Sequence, residues 1–271
     1  MIVARTIDEL NAARRDLIGE IGFVPTMGAL HVGHLSLIER AKKENGFVVV
    51  SVYVNPAQFG ADEDFERYPR REETDIALCR AAKVDLLFMP KNVYGKDEPT
   101  ISAPPIGASI LEGEIRPGHF DGVLTVIMKM LHLIKPKRVY FGKKDAQQLW
   151  LIAKMVSAFF MEIEVVACET ARESNGLALS SRNAYLSEGE KNDALKLSQS
   201  LFEASKLIKK NEIKSSAIIE AIAKTLAPLT IDYVSIVDRE FKPIKTIKKG
   251  ETIILIAARA GATRLIDNMW I

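Results

Sequence analysis

Apolar residues along this chain follow two spacings in turn. Short, nearly unbroken apolar runs at 21–24, 47–54 (FVVVSVYV), 84–90 (VDLLFMP), 138–142 (RVYFG) and 163–168 (IEVVAC) read as strands covered on both faces. Between them, apolar positions recur at helical spacing. Helices are predicted over about 7–18, from His34 onward with Leu35, Leu37, Ile38 and Ala41 on one face, and over 71–83, 121–135 and 146–160. Thr6 and Glu9 open the first of these as a capping box. Alternation of this kind predicts an α/β fold, a Rossmann-like doubly wound parallel sheet with helices on both faces, over residues 1–175. After that the order changes. Ser187 and Glu190 cap a helix reaching Lys209, a second helix covers about 216–226, and strands follow at 233–237, 252–258 and 264–267. Residues 176–271 are therefore expected to form a smaller α+β domain.

Composition removes several function classes. The chain has 271 residues, 48% of them hydrophobic, with no apolar run near the ~20 residues a bilayer requires. Its first residues, MIVARTIDEL, lack the apolar centre of a secretory signal. Cys79 and Cys168 suit neither a disulfide framework nor a CxxC metal site, so a reducing cytoplasm is expected. The net charge of +2 offers little pull on nucleic acid and suits a small anionic substrate better.

Four segments carry chemistry. In FVPTMGALHVGHLSLI (23–38), His31 and His34 bracket Gly33 where a strand turns into a helix. A helix N-terminus attracts phosphate, and ligands of open α/β sheets bind at the carboxyl ends of strands. The histidines are donors to a phosphate, or they merely cap the helix or pack in the core. Gln58 ends the strand run in VNPAQF (54–59), as a ligand-binding amide or a polar loop residue. Lys143, Lys144 and Asp145 follow Gly142 in YFGKKDAQQL, with Gln147 and Gln148 on the next helical turn. LALSSRNAYLS (177–187) holds Ser180, Ser181 and Arg182, either a phosphate clamp or a polar linker. Two further features have weaker meaning. Asp75, near a helix start, reads as a cap first and a Mg²⁺ ligand second. Arg116 and His119 lie in LEGEIRPGHFDGVLTV as a lid, a subunit contact or a turn.

Taken together, PTMGALHVGH, VNPAQFGADEDFERYPR, RPGHFDGVLTV, FGKKDAQQ and SSRNAYLS resemble, in order, the pantoate–β-alanine ligase family, also called pantothenate synthetases. The HxGH element alone would indicate only the wider nucleotidylyltransferase superfamily. The resemblance implies that pantoate reacts with ATP to give pantoyl adenylate and pyrophosphate, and that β-alanine then displaces AMP. It implies ATP as a substrate, Mg²⁺ as its companion and a homodimer as the assembly, with no role for nucleic acid or membrane. It places ATP on Met27, Gly28, Ala29, Leu30, His31, Val32, Gly33 and His34, on Gly142, Lys143, Lys144 and Asp145, on Ala171, and on Leu179, Ser180, Ser181 and Arg182. His34, His31, Lys144 and Arg182 take the catalytic roles, while Gln58 and Gln148 hold pantoate. Met27 and Phe59 are expected to enclose its methyl groups. Leu179, Lys143 and Ala171 depart from the family's usual Met, Glu or Gln, and Val. No proposed catalytic side chain is missing.

Overall fold

A computed structural model describes residues 1–61 and 63–271. The chain divides into two compact units, Met1–Gly142 with Gln147–Cys168, and Lys143–Ala146 with Glu169–Ile271.

The first unit is built on six strands: β1 (Ile2–Ala4), β2 (Ile21–Thr26), β3 (Phe47–Val52), β4 (Leu86–Phe88), β5 (Arg138–Gly142) and β6 (Glu164–Cys168). They form one sheet in the order β1-β4-β3-β2-β5-β6, every pair parallel. Its helices are α1 (Ile7–Arg15), α2 (Val32–Glu44), α3 (Glu72–Ala81), the single turns α4 (Pro105–Ala108) and α5 (Glu112–Ile115), α6 (His119–Ile134) and α7 (Ala146–Ala158). Neighbouring strand residues point to opposite faces. Val24, Val48, Val50 and Leu87 line a core shared with Ile38 and Ala41 of α2 and Cys79 of α3. Phe23, Val49, Leu86 and Phe88, of opposite parity, are equally buried. Both faces are covered, as the unbroken apolar runs require. The strand order reverses between β2 and β5, where ligands bind in sheets of this kind.

The second unit carries α8 (Glu188–Lys209), α9 (Ser215–Leu226), β7 (Thr230–Val237), β8 (Ile253–Ala260) and β9 (Thr263–Trp270). The strands form an antiparallel sheet in the order β7-β8-β9. Leu197 and Leu201 of α8, Ile218 and Ile222 of α9, and Ile254 and Ile256 of β8 share its core. This is the expected α+β arrangement.

The differences from the sequence reading are local. β1 is too short to show a period, and exists through its parallel pairing with β4. β4 covers only three residues of the expected 84–90. α1 stops at Arg15 because the apolar Ile18, 88% exposed, has nothing to pack against. α6 begins at His119 rather than 121, immediately after Gly118 in a left-handed conformation.

Candidate active site

The loop leaving β2 is fixed before it reaches the histidines. Thr26 donates its hydroxyl to the Ser51 carbonyl at 2.7 Å and accepts from the Gly28 amide at 3.1 Å. Gly28 (φ +84°) and Ala29 (φ +49°) then turn through the left-handed region, which costs a side chain strain at Ala29. A Cβ on Gly28 would lie 2.9 Å from Val52 Cγ1 and 3.0 Å from Asp75 Oδ2. What holds the turn is Asp75 of α3. Its Oδ2 accepts from Ala29 N at 3.0 Å and its Oδ1 from Leu30 N at 2.8 Å. The carboxyl is 1% exposed, and burial raises its pKa against the opposing pull of those two N–H groups. Asp75 is thus a loop anchor, neither a cap of its own helix nor displayed toward a cation.

His31 and His34 cap α2 reciprocally. His31 Nδ1 accepts from Gly33 N at 3.1 Å, and His34 Nδ1 accepts from His31 N at 3.3 Å; the ring centroids lie 4.1 Å apart, tilted by 35°. A nitrogen that accepts an N–H bond carries no proton, so each neutral ring holds its proton on Nε2. The donor and cap readings left open by the sequence are therefore compatible. Nδ1 caps the helix, and Nε2–H is a hydrogen-bond donor at its positive end.

Gln58 lies on a single 3₁₀ turn, Pro56–Gln58, and is 7% exposed. Its Oε1 accepts from Asn55 Nδ2 at 3.2 Å and its Nε2 donates to Met27 Sδ at 2.9 Å. Asn55 is itself held by the Tyr94 hydroxyl at 2.8 Å and donates to the Gly122 carbonyl at 3.1 Å. Arg116 and His119, open in meaning from sequence, secure the same turn. His119 Nδ1 donates to the Gln58 carbonyl at 2.7 Å, and its Nε2 accepts from Arg116 Nη1 at 2.9 Å. Arg116 grips Glu63 with two bonds of 2.7 and 2.6 Å. Burial, then the Arg116 charge, depress the His119 pKa to about 4, so this ring is neutral at pH 7. Gln147 is structural: its amide bonds Glu112 N and the Gly107 and Ile110 carbonyls. Gln148 is half-buried, and its amide meets no partner among the described residues. Phe59 packs edge-on against Phe65 and Tyr68, so it belongs to that aromatic cluster.

In the second unit the segment 143–146 directly continues β5. The Lys143 ammonium pairs with Glu169 and lies 5.4 Å from the Trp270 ring centre. Among the described residues Lys144 has one long contact, 3.9 Å, to Asp145. Ala171 accepts through its carbonyl from Leu179 N at 3.0 Å. Ser180 Oγ accepts from Arg182 N at 3.3 Å and starts the 3₁₀ turn Ser181–Tyr185, while Asn183 donates to the Ala178 carbonyl at 3.1 Å.

Known proteins resemble this chain over its whole length. The family model described as Pantoate-beta-alanine ligase matches residues 2–270. The chain belongs to the pantoate–β-alanine ligase family. A pantothenate synthetase of Campylobacter curvus is 54% identical over the whole of both chains. A pantothenate synthetase structure from Thermus thermophilus superposes with a TM-score of 0.94 at 41% identity, covering 99% of each chain. A pantoate-beta-alanine ligase from Francisella tularensis, solved with β-γ ATP and β-alanine, gives 0.82 at 37% identity, covering 100% of this chain and 97% of that one.

Within this family member, the described residues contain no group of three or more His, Cys, Asp or Glu arranged to hold a metal ion. No helix among them is long and apolar enough to cross a membrane. Burial pushes the Cys79 thiol up to about 12, so it supplies no thiolate nucleophile. Sequence reasoning passed over Asn55 and Tyr94. Asn55 stands in the quoted motif three residues before Gln58, a spacing that places two amides on one turn. Tyr94 lies 39 residues from Asn55 and had no comparable signal.

Proposed function

We infer that the chain condenses pantoate with β-alanine at the expense of ATP, as its membership of the ligase family indicates. A pantoate carboxylate oxygen attacks the α-phosphorus of ATP, and the bond to the bridging oxygen breaks to release pyrophosphate. The β-alanine amine then attacks the acyl carbon of pantoyl adenylate and loses a proton, and AMP departs with the C–O bonding pair. The product is pantothenate.

The first step needs charge stabilised on phosphate oxygens and little else from the protein. We assign that work to the Nε2–H groups of His31 and His34, to Lys144 and Arg182, and to the hydroxyls of Ser180 and Ser181. The main chain of 27–34 and the 142–145 segment shape the approach of the phosphates, Leu179 opens the phosphate loop that runs to Arg182, and the Ala171 backbone takes the adenine end. Gln58 and Gln148 are assigned to pantoate. Asn55 donates to the Gln58 oxygen and Met27 Sδ takes one of its N–H groups, so the second N–H is the one assigned to a substrate carboxylate or hydroxyl. Mg²⁺ is assigned to the nucleotide's phosphates, which with water supply most of its ligands. The same reading carries a homodimer working in the cytoplasm.

The observation that carries the assignment is the reciprocal His31–His34 cap at the end of β2, which presents two neutral donors at a helix N-terminus. Purified protein given ATP, pantoate and β-alanine should yield AMP and pantothenate by mass, with AMP absent when pantoate is withheld. ADP in place of AMP would overturn the adenylate route.

A further inference from the structure

We propose that Asn268, in the last strand of the chain, is a positioning residue for Lys144. The inference rests on the reading of Lys144 as the lysine that meets ATP. Asn268 is 4% exposed, and its Nδ2 donates to the carbonyls of both Lys143, at 2.9 Å, and Lys144, at 2.7 Å. Its Oδ1 accepts from Trp270 Nε1 at 3.0 Å. An indole nitrogen only donates and a backbone carbonyl only accepts, so the amide has one orientation that satisfies all three groups.

The carbonyls of Lys143 and Lys144 belong to a turn between β5 and α7, with no ladder to receive them. Asn268 supplies the donors that regular structure does not. Its surroundings are locked as well. Arg172 binds Asp267 with two bonds of 2.7 and 2.8 Å, and Arg239 lies 4.6 Å from the Trp270 ring centre. Lys143 is spent on Glu169 and on the same ring. Lys144 is the residue of the pair not committed to a close ion pair among the described residues. A lysine stem has four rotatable bonds and one charge, so its ammonium can be aimed only if the backbone at its root is held. Two consecutive carbonyls tied to one rigid amide hold that root.

The test is single-turnover adenylation of pantoate by the full chain, with Lys144→Ala, Asn268→Ala, the double variant, and Trp270→Phe. Asn268→Ala should slow adenylation about tenfold or more, the order of one displaced preorganised group, with KM for pantoate within about twofold of wild type. In the Lys144→Ala background the same change should cost less than about twofold, because an absent ammonium has no root to hold. Trp270→Phe keeps the amide and an aromatic ring beside Lys143 and Arg239 but removes the N–H that orients the amide, with about a two- to fivefold loss expected. Should Asn268→Ala not fold, Trp270→Phe with and without Lys144→Ala makes the same comparison. An Asn268→Ala rate near wild type, beside a slow Lys144→Ala, would overturn the inference and leave Lys144 in place. An equal fold loss in both backgrounds would make Asn268 a packing residue and overturn it too. A Lys144→Ala rate near wild type would remove the reading of Lys144, and this proposal with it.

Discussion

At Asp75 a carboxylate has been taken out of water to hold two amides of a strained turn. That arrangement distinguishes it from a metal ligand. Each oxygen accepts an N–H of the loop and the side chain is 1% exposed, so a hydrated cation has no open approach to it. Asp75→Asn keeps the shape but turns one acceptor into a donor facing an N–H. Loss of a hydrogen bond to a charged group is worth about 1.5–3 kcal/mol. Adenylation measured against ATP should therefore fall about ten- to a hundredfold in kcat/KM, with the half-saturating Mg²⁺ concentration unchanged. A shifted Mg²⁺ requirement at normal ATP affinity would return Asp75 to the metal. His34 offers the complementary case, since its Nδ1 supports the helix start and its Nε2 is assigned to phosphate. His34→Ala should slow single-turnover adenylation about a hundredfold, the scale of one oxyanion donor. Circular dichroism should be retained, because α2 keeps its buried Leu37, Ile38 and Ala41. A His34→Ala rate near wild type would remove it from the catalytic set.

Elements with a capping box or an unbroken apolar run were legible from sequence. Thr6 with Glu9 and Ser187 with Glu190 both form as read, and β5 spans 138–142 as expected. Elements that depend on a distant partner were not. The turns α4 and α5 are held by Gln147, whose amide reaches Gly107, Ile110 and Glu112 across 35 to 40 residues. The Gln58 turn is a similar case, since its seat is the start of α6. A Cβ on Gly122 would lie 2.1 Å from the Ala57 carbonyl oxygen, and Asn55 bonds the Gly122 carbonyl. Gly122→Ala must push the 3₁₀ turn off the helix and displace Gln58. KM for pantoate should rise about tenfold, the lower end for one misplaced hydrogen bond to a charge, while KM for ATP stays within about twofold. Steady-state titration of each substrate distinguishes this from a general loss of activity, which would raise both.

Over the whole molecule, stability should carry the signature of His119. Its pKa falls from an ordinary 6.5 to about 4 on folding, so the unfolded chain binds the extra proton first. The stability this ring contributes is complete above about 6.5 and is lost as pH falls toward about 4. Burial and the Arg116 charge act together against protonation and outweigh the Gln58 carbonyl, Glu63 and Glu112, which favour it. Between pH 6.5 and 4.5 the loss from this one group should be about 2 kcal/mol. Asp75 acts in the opposite sense, since a carboxyl raised on folding favours the native state as pH falls. His119→Asn keeps a donor for the Gln58 carbonyl and removes the titration. Urea unfolding at the two pH values should show a decline smaller by about that amount in the variant. An equal decline would place the acid sensitivity elsewhere.

The sequence by itself determined the parallel sheet and the α+β unit, and it supplied the residues to which phosphate chemistry is assigned. Period and capping are local, and HxGH, KKD and SSRN are contiguous. It did not determine what holds those residues in place. Asp75 lies 45 and 46 residues from the amides it binds, His119 lies 61 from Gln58, and Asn268 lies 124 from Lys144. A lone carboxylate, imidazole or amide has no periodicity, and its partner is a backbone group that every residue possesses. Only the packed chain decides which backbone group it meets.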